Sequence, residues 1–155
     1  MTVNDGSSNN NYDPLANQTV TVATADNDSA GFTKSKTAVT VSETGTTDTF
    51  TVVLDAQPDS NVVIDVSSDD TDEATVSPSS LTFTTGNWNS AQTVTVTGVA
   101  DNAVDGNQTG TDITLAVKDG SSDNNFDSLS DQNAVSYTHL RAHGDATLSR
   151  MPSSA

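Results

Sequence analysis

The stretch from Leu81 to Asn107, LTFTTGNWNSAQTVTVTGVADNAVDGN, decides the fold. At its centre, Thr93 to Val99 alternates threonine with valine, which puts Val94 and Val96 on one face of a strand and Thr93, Thr95 and Thr97 on the other. Such a strand gives one face to a core and the other to water. It runs into Ala100 to Asn107, where Asp101, Asn102, Asp105 and Gly106 sit too close together to continue a ladder and read as an acidic turn. A strand that delivers carboxylates to one end of a β-domain is one way to build a calcium site, because a hard cation takes oxygen ligands.

Outward from this stretch the same pattern recurs. Short alternating runs are separated by turn residues, and no stretch shows apolar spacing of three and four over a helical length. The predicted strands are Ala38 to Val41, Thr47 to Asp55, Val62 to Ser67, Thr75 to Val76 continuing to Leu81 to Thr84, Thr93 to Val99, Asp112 to Lys118, and a last one near Ala134 to Thr138. Their inward residues are Val39, Val41, Phe50, Val52, Leu54, Val62, Ile64, Val66, Val76, Leu81, Phe83, Val94, Val96, Ile113, Leu115 and Val117. Seven strands at this spacing predict an all-β, immunoglobulin-like sandwich with one core.

Strand parity then decides which loops meet. The loops after the first, third and fifth strands gather at one pole: Ser42 to Thr46 with Glu43; Ser68 to Glu73 with Asp69, Asp70, Asp72 and Glu73; and Ala100 to Gly110 with Asp101 and Asp105. The other pole receives residues 57–61, residues 84–92 with Trp88, and the long loop 119–132, which carries four aspartates of its own.

Composition limits the partners. Twenty-one acidic side chains against five basic ones give a formal charge of -16, which argues strongly against nucleic acid as a ligand and favours cations. Two carboxylates about 6 Å apart repel by roughly 0.7 kcal/mol even in water, so convergent acidic loops are costly unless a positive charge sits among them. There is no cysteine, hence no disulfide and no thiolate metal site. No apolar run is long enough to predict a membrane span, and no signal peptide follows Met1. Catalysis finds no support: no nucleophile stands with a positioned base, and no glycine loop would cradle a phosphate.

An internal repeat sets the domain boundaries. Residues 3–18, VNDGSSNNNYDPLANQ, match residues 117–132, VKDGSSDNNFDSLSDQ, at 10 of 16 positions with an offset of 114 residues. The expected organisation is therefore the end of a preceding repeat over 1–28, a sandwich repeat over 29–135, and a non-native or disordered tail over 136–155. The tail holds both histidines and a net formal charge of +1, unlike the rest of the chain. VSYTHLRAH, residues 135–143, resembles the translated read-through of a sequencing adapter. His139 and His143 have metal-like spacing but belong to that tail.

With VSETG (41–45), TFTVVLD (49–55), LTFTTGNW (81–88) and GVADNAVDGN (98–107) in place, the unit resembles a Calx-beta-type domain, similar to the tandem repeats of that type in large bacterial surface proteins and RTX-like adhesins. The resemblance covers roughly residues 29–135. It implies Ca²⁺ at one pole, held by Glu43, Glu73, Asp101 and Asp105, with Asp26 and Asp28 as the closing acids of the preceding repeat. The family's third-loop pattern is absent; SDDTDE (68–73) stands there, bringing in Asp69, Asp70 and Asp72 as candidate ligands. Oxygen ligands alone favour Ca²⁺ over zinc or copper, with an expected affinity of about 10⁻⁴ to 10⁻³ M.

The expected function is a calcium-binding structural repeat, a rigid spacer in an adhesive bacterial protein at the cell surface or outside the cell. Its partners would be neighbouring repeats of the same chain. The alternatives are a glycan- or protein-binding module, through Trp88 or the Asn-rich long loop, and a non-catalytic appendage of an exported enzyme.

Overall fold

The structure, a computed structural model, describes residues 6, 11, 16, 18–100 and 108–139. Within them the threonine–valine alternation does what its period requires. Strand β7 (Gln92–Gly98) lies between β3 (Thr47–Leu54) and β5 (Ala74–Ser77), in antiparallel register that sets Phe50 opposite Val94, both buried. The alternate pairs Thr49–Thr95 and Thr51–Thr93 lie on the other face, where cross-strand β-branched pairs support the sheet. The short strand β1 (Phe32–Lys34) completes this sheet, in the order β1-β3-β7-β5.

The second sheet has five strands in the order β2-β9-β8-β4-β6. These are β2 (Ala38–Ser42), β4 (Val62–Ser68), β6 (Ser80–Phe83), β8 (Gln108–Val117) and β9 (Gln132–His139). β2 runs parallel to β9, and the other pairs are antiparallel. The inner faces of the two sheets share one core, which includes Val39, Val41, Phe50, Val52, Ile64, Phe83, Val94, Val96, Ile113 and Leu115. Among the described residues the architecture is an immunoglobulin-like β-sandwich, as the alternation predicts.

Four details differ from the sequence reading. The strand predicted to run from Thr75 through Thr84 is two strands in opposite sheets: Pro78, which has no N–H to give a ladder, falls between them, and the Val66 N–H turns to the Ser79 carbonyl at 2.9 Å. β1 is added, a strand with one buried apolar residue and so no visible period. Val76 and Val117 lie at the core margin rather than inside it. Phe32, Ala74, Phe126 and Ala134 join the core.

The final strand runs from Gln132 to His139, one residue past its predicted end at Thr138. Ser136 and Thr138 keep the inward period that Ala134 begins, so the sheet takes in residues that composition assigns to the tail. No helix among the described residues is long and apolar enough to cross a membrane.

Phe126 is the apolar plug of one pole, fully buried although it lies in a loop. Its N–H bonds the Asp123 carbonyl at 2.8 Å, and its own carbonyl takes the Leu129 N–H at 3.1 Å, which turns the ring inward. Phe126→Ala is expected to cost about 3–5 kcal/mol of stability by transfer and cavity terms, read as a lower urea midpoint at unchanged slope.

Candidate functional site at the acidic pole

Two of the three acidic loops meet on the end of β7. The β2–β3 turn is tight: the Gly45 N–H bonds the Ser42 carbonyl at 3.0 Å, Gly45 takes a φ of 79° that a side chain would resist, and the Ser42 N–H bonds Thr46 Oγ1 at 2.8 Å. This turn carries Glu43, half-buried, and lies against Gly98, whose N–H bonds the Thr46 carbonyl at 3.0 Å. A Cβ on Gly98 would run into the Ser42 carbonyl oxygen, so glycine lets the two sheets touch backbone to backbone here. One residue on, the Val99 N–H bonds the Glu73 carbonyl at 2.9 Å. The Glu43 and Glu73 loops thus adjoin the segment from which Asp101 and Asp105 follow.

The seven predicted ligands divide accordingly. Glu73 is buried at 8% exposure, the deepest of the described candidates. Asp69, Asp70 and Asp72 are exposed, and two of them accept backbone N–H groups: Asp69 Oδ1 takes the Asp112 N–H at 2.7 Å, tying the loop to β8, and Asp70 Oδ1 takes the Asp72 N–H at 3.1 Å within the loop. The Asp70 contact is ordinary turn chemistry. Asp101 and Asp105 lie outside the described residues. Among the described residues no three acidic or imidazole side chains stand close enough to hold a metal ion by themselves. The described lysines are engaged with other residues: Lys34 with Gln132, Lys36 with Asp48, Lys118 with Asp65.

The opposite pole holds an aspartate that sequence reasoning left inside a generic loop. Asp123 is buried, follows one turn of 3₁₀ helix at Asp119–Ser121, and accepts three backbone N–H groups: Asn125 at 2.9 Å on Oδ1, Ser60 at 2.9 Å and Asp59 at 2.7 Å on Oδ2. It fastens the β8–β9 loop to the β3–β4 loop. The N–H of Asn125, then that of Ser60, holds its carboxyl below the usual carboxylate range, while burial works the other way and the Asp59 N–H adds to the lowering. The available signal was Asp-x-Asn after Ser-Ser, the spacing of a side chain that caps its own turn. Trp88 is half-buried against the core, and its carbonyl accepts the Leu54 N–H at 3.1 Å, so it seals this pole rather than offering a flat exposed ring. Asp26 and Asp28 reach the same pole, lining a depression with Ala30, Ala56, Gln57, Asn125 and Phe126.

No family model matches the chain, and no curated protein does. Solved structures do. The chain is similar to the E. coli chaperone DraB, at 11% identity over 74% of this chain and 58% of that one, with a TM-score of 0.51. It is similar to the YadV chaperone at 11% identity over 70% and 51% of the two chains, with a TM-score of 0.52. These likenesses are of fold alone. Domains 1–6 of the surface layer protein SbsC share 25% identity over 80% of this chain, with a TM-score of 0.50. The chain spans 15% of that protein's length and between half and three-fifths of the chaperones'.

Two outcomes check this geometry. Gly98→Ala should cost about 1–3 kcal/mol, because the sheets must part at the Ser42 contact, and chemical denaturation reads it. For Asp123, a lowered folded pKa means stability present above the unfolded carboxylate value and lost as pH falls through the folded one. Asp123→Asn should therefore melt below the wild type near pH 7, and the gap should close below about pH 4 in thermal melts.

Proposed function

We propose that this chain is a spacer repeat of a long secreted or cell-surface bacterial protein, of the Calx-beta type, stiffened by Ca²⁺ at its acidic pole. The observation that carries the reading is the backbone tie of the Glu43 turn and of Glu73 to Gly98–Val99, the root of the Asp101–Asp105 loop. Local acids scattered over a surface would need no ion. Acids rooted side by side at one pole repel, and a divalent cation offsets that cost. The donors are oxygens only, from carboxylates and loop carbonyls, which suits Ca²⁺ rather than a softer metal. Glu43, Glu73, Asp101 and Asp105 would hold the ion, with Asp69, Asp70 and Asp72 contributing further carboxylates.

The position of Asp26 and Asp28 supports the spacer reading. In a tandem array the closing acids of one unit arrive where the next begins, and here they sit beside Gln57 and Phe126 of this unit. An ion at that junction would couple neighbouring units and stiffen the linker. The likeness to a surface layer protein is compatible with a cell-surface location.

Calorimetry tests the metal. With an affinity of about 10⁻⁴ to 10⁻³ M, about 10 mM Ca²⁺ should stabilise the fold by about 1.4–2.7 kcal/mol and raise the melting temperature. Glu73→Gln should remove most of that rise, and Asp119→Asn, at the other pole, should not. A melting temperature indifferent to Ca²⁺ overturns the metal reading.

A further inference from the structure

The β9 position of this sandwich is filled by a strand that suits it poorly. Ser136 and Thr138 point into the interior, buried to 0% and 1% exposure, and neither hydroxyl has a hydrogen-bond partner among the described residues. A buried hydroxyl without a partner is worse there than a methyl group of the same size. The internal repeat identifies a better strand. Gln18 matches Gln132, so Thr19 to Ala25, TVTVATA, corresponds to Asn133 to His139. Val20, Val22 and Thr24 then fall on the three inward positions, those of Ala134, Ser136 and Thr138. Thr21 and Ala23 fall on the outward ones.

That segment is unused within its own chain. Residues 18–31 form no strand, and Val20 and Val22 are 88% and 77% exposed, the most exposed large apolar side chains described. We infer that Thr19 to Ala25 of one copy docks as β9 in the sandwich of a second copy, displacing Gln132–His139 and joining the two head to tail. The inference rests on the repeat reading above but not on calcium.

Direction and length agree with it. β9 enters at Gln132, whose Nε2 bonds the Phe32 carbonyl at 2.9 Å, and leaves at His139, in register with Ser42 of the acidic pole. A docked segment therefore leaves beside the Glu43 turn, carries Asp26 and Asp28 past it, and enters its own sandwich at Phe32, at the opposite pole. This is the path a tandem repeat would follow. In its own sandwich the segment would be at full stretch: Ala25 to Phe32 reaches at most about 24 Å, and the climb from the level of Gln132 to that of His139 is already about 23 Å, before the gap between sheets is crossed. A second copy meets no such limit. Each copy offers one segment and one slot at different places, so the contact is heterologous and propagates as an open chain.

Sedimentation velocity of the full chain across a concentration series, after warming to let β9 open, tests this. The expected result is a set of species heavier than the monomer whose share grows with concentration. Val20→Asp combined with Val22→Asp changes only exposed positions. It should weaken association about tenfold or more while leaving the monomer's melting temperature in place. Ser136→Val combined with Thr138→Val should do the reverse, raising the melting temperature and suppressing assembly by improving the resident strand. A synthetic peptide of residues 18–28 should shorten the assemblies by occupying the slot. A chain that stays monomeric at every concentration, or assemblies that survive Val20→Asp with Val22→Asp, overturns the inference. Assembly with a melting temperature indifferent to Ca²⁺ keeps the strand docking and removes the metal; a Ca²⁺ response in a strictly monomeric chain does the opposite.

Discussion

Every other feature of this molecule depends on the burial of alternate residues between two sheets. The core is built from valine, isoleucine, leucine and phenylalanine at every second position of β2, β3, β4, β6, β7 and β8. Period two makes this economical. A strand of threonine and valine satisfies water with one face and the core with the other, using β-branched residues that favour extended backbone on both. Phe50 against Val94, in direct register across β3 and β7, is the centre of that arrangement.

The core fixes the sheets, and the sheets fix two chemically different poles. One is closed by apolar and hydrogen-bonded plugs: Phe126, Leu129 and Trp88 against the core, and Asp123 gathering three N–H groups from two loops. The other is left acidic. There the sheets approach so closely at Gly98 and Ser42 that nothing larger than a hydrogen fits, and the Glu43 and Glu73 loops are anchored by main-chain bonds. Aspartates at the two poles have different environments. Asp123 is satisfied by protein donors and is structural, while Asp70 and Asp72 sit exposed around a turn.

A fold with distinct ends lends itself to serial repetition. The parallel pairing of β2 with β9 places the exit of the last strand beside the Glu43 turn, while the entry strand β1 begins at the far pole, next to Gln132. Val20 and Val22 stand exposed in a segment that forms no strand in the described fold and meets no interior.

The sequence by itself determined where most of the strands lie, which face of each is buried, and that the Glu43 and Glu73 loops belong to one pole. All three follow from local period and from strand parity, which need no knowledge of partners. It could not say that β5 and β6 part to opposite sheets or that three residues at Phe32–Lys34 make an edge strand. Nor did it distinguish Asp123 from the other aspartates of its loop, since an aspartate in a turn and an aspartate clamping two loops have the same local pattern. Those matters are decided by which backbone groups find each other across tens of residues, as when Asp59 and Ser60 meet Asp123. Hydrogen-bond pairing of that range is a property of the assembled sheets and has no signature in any short stretch of chain.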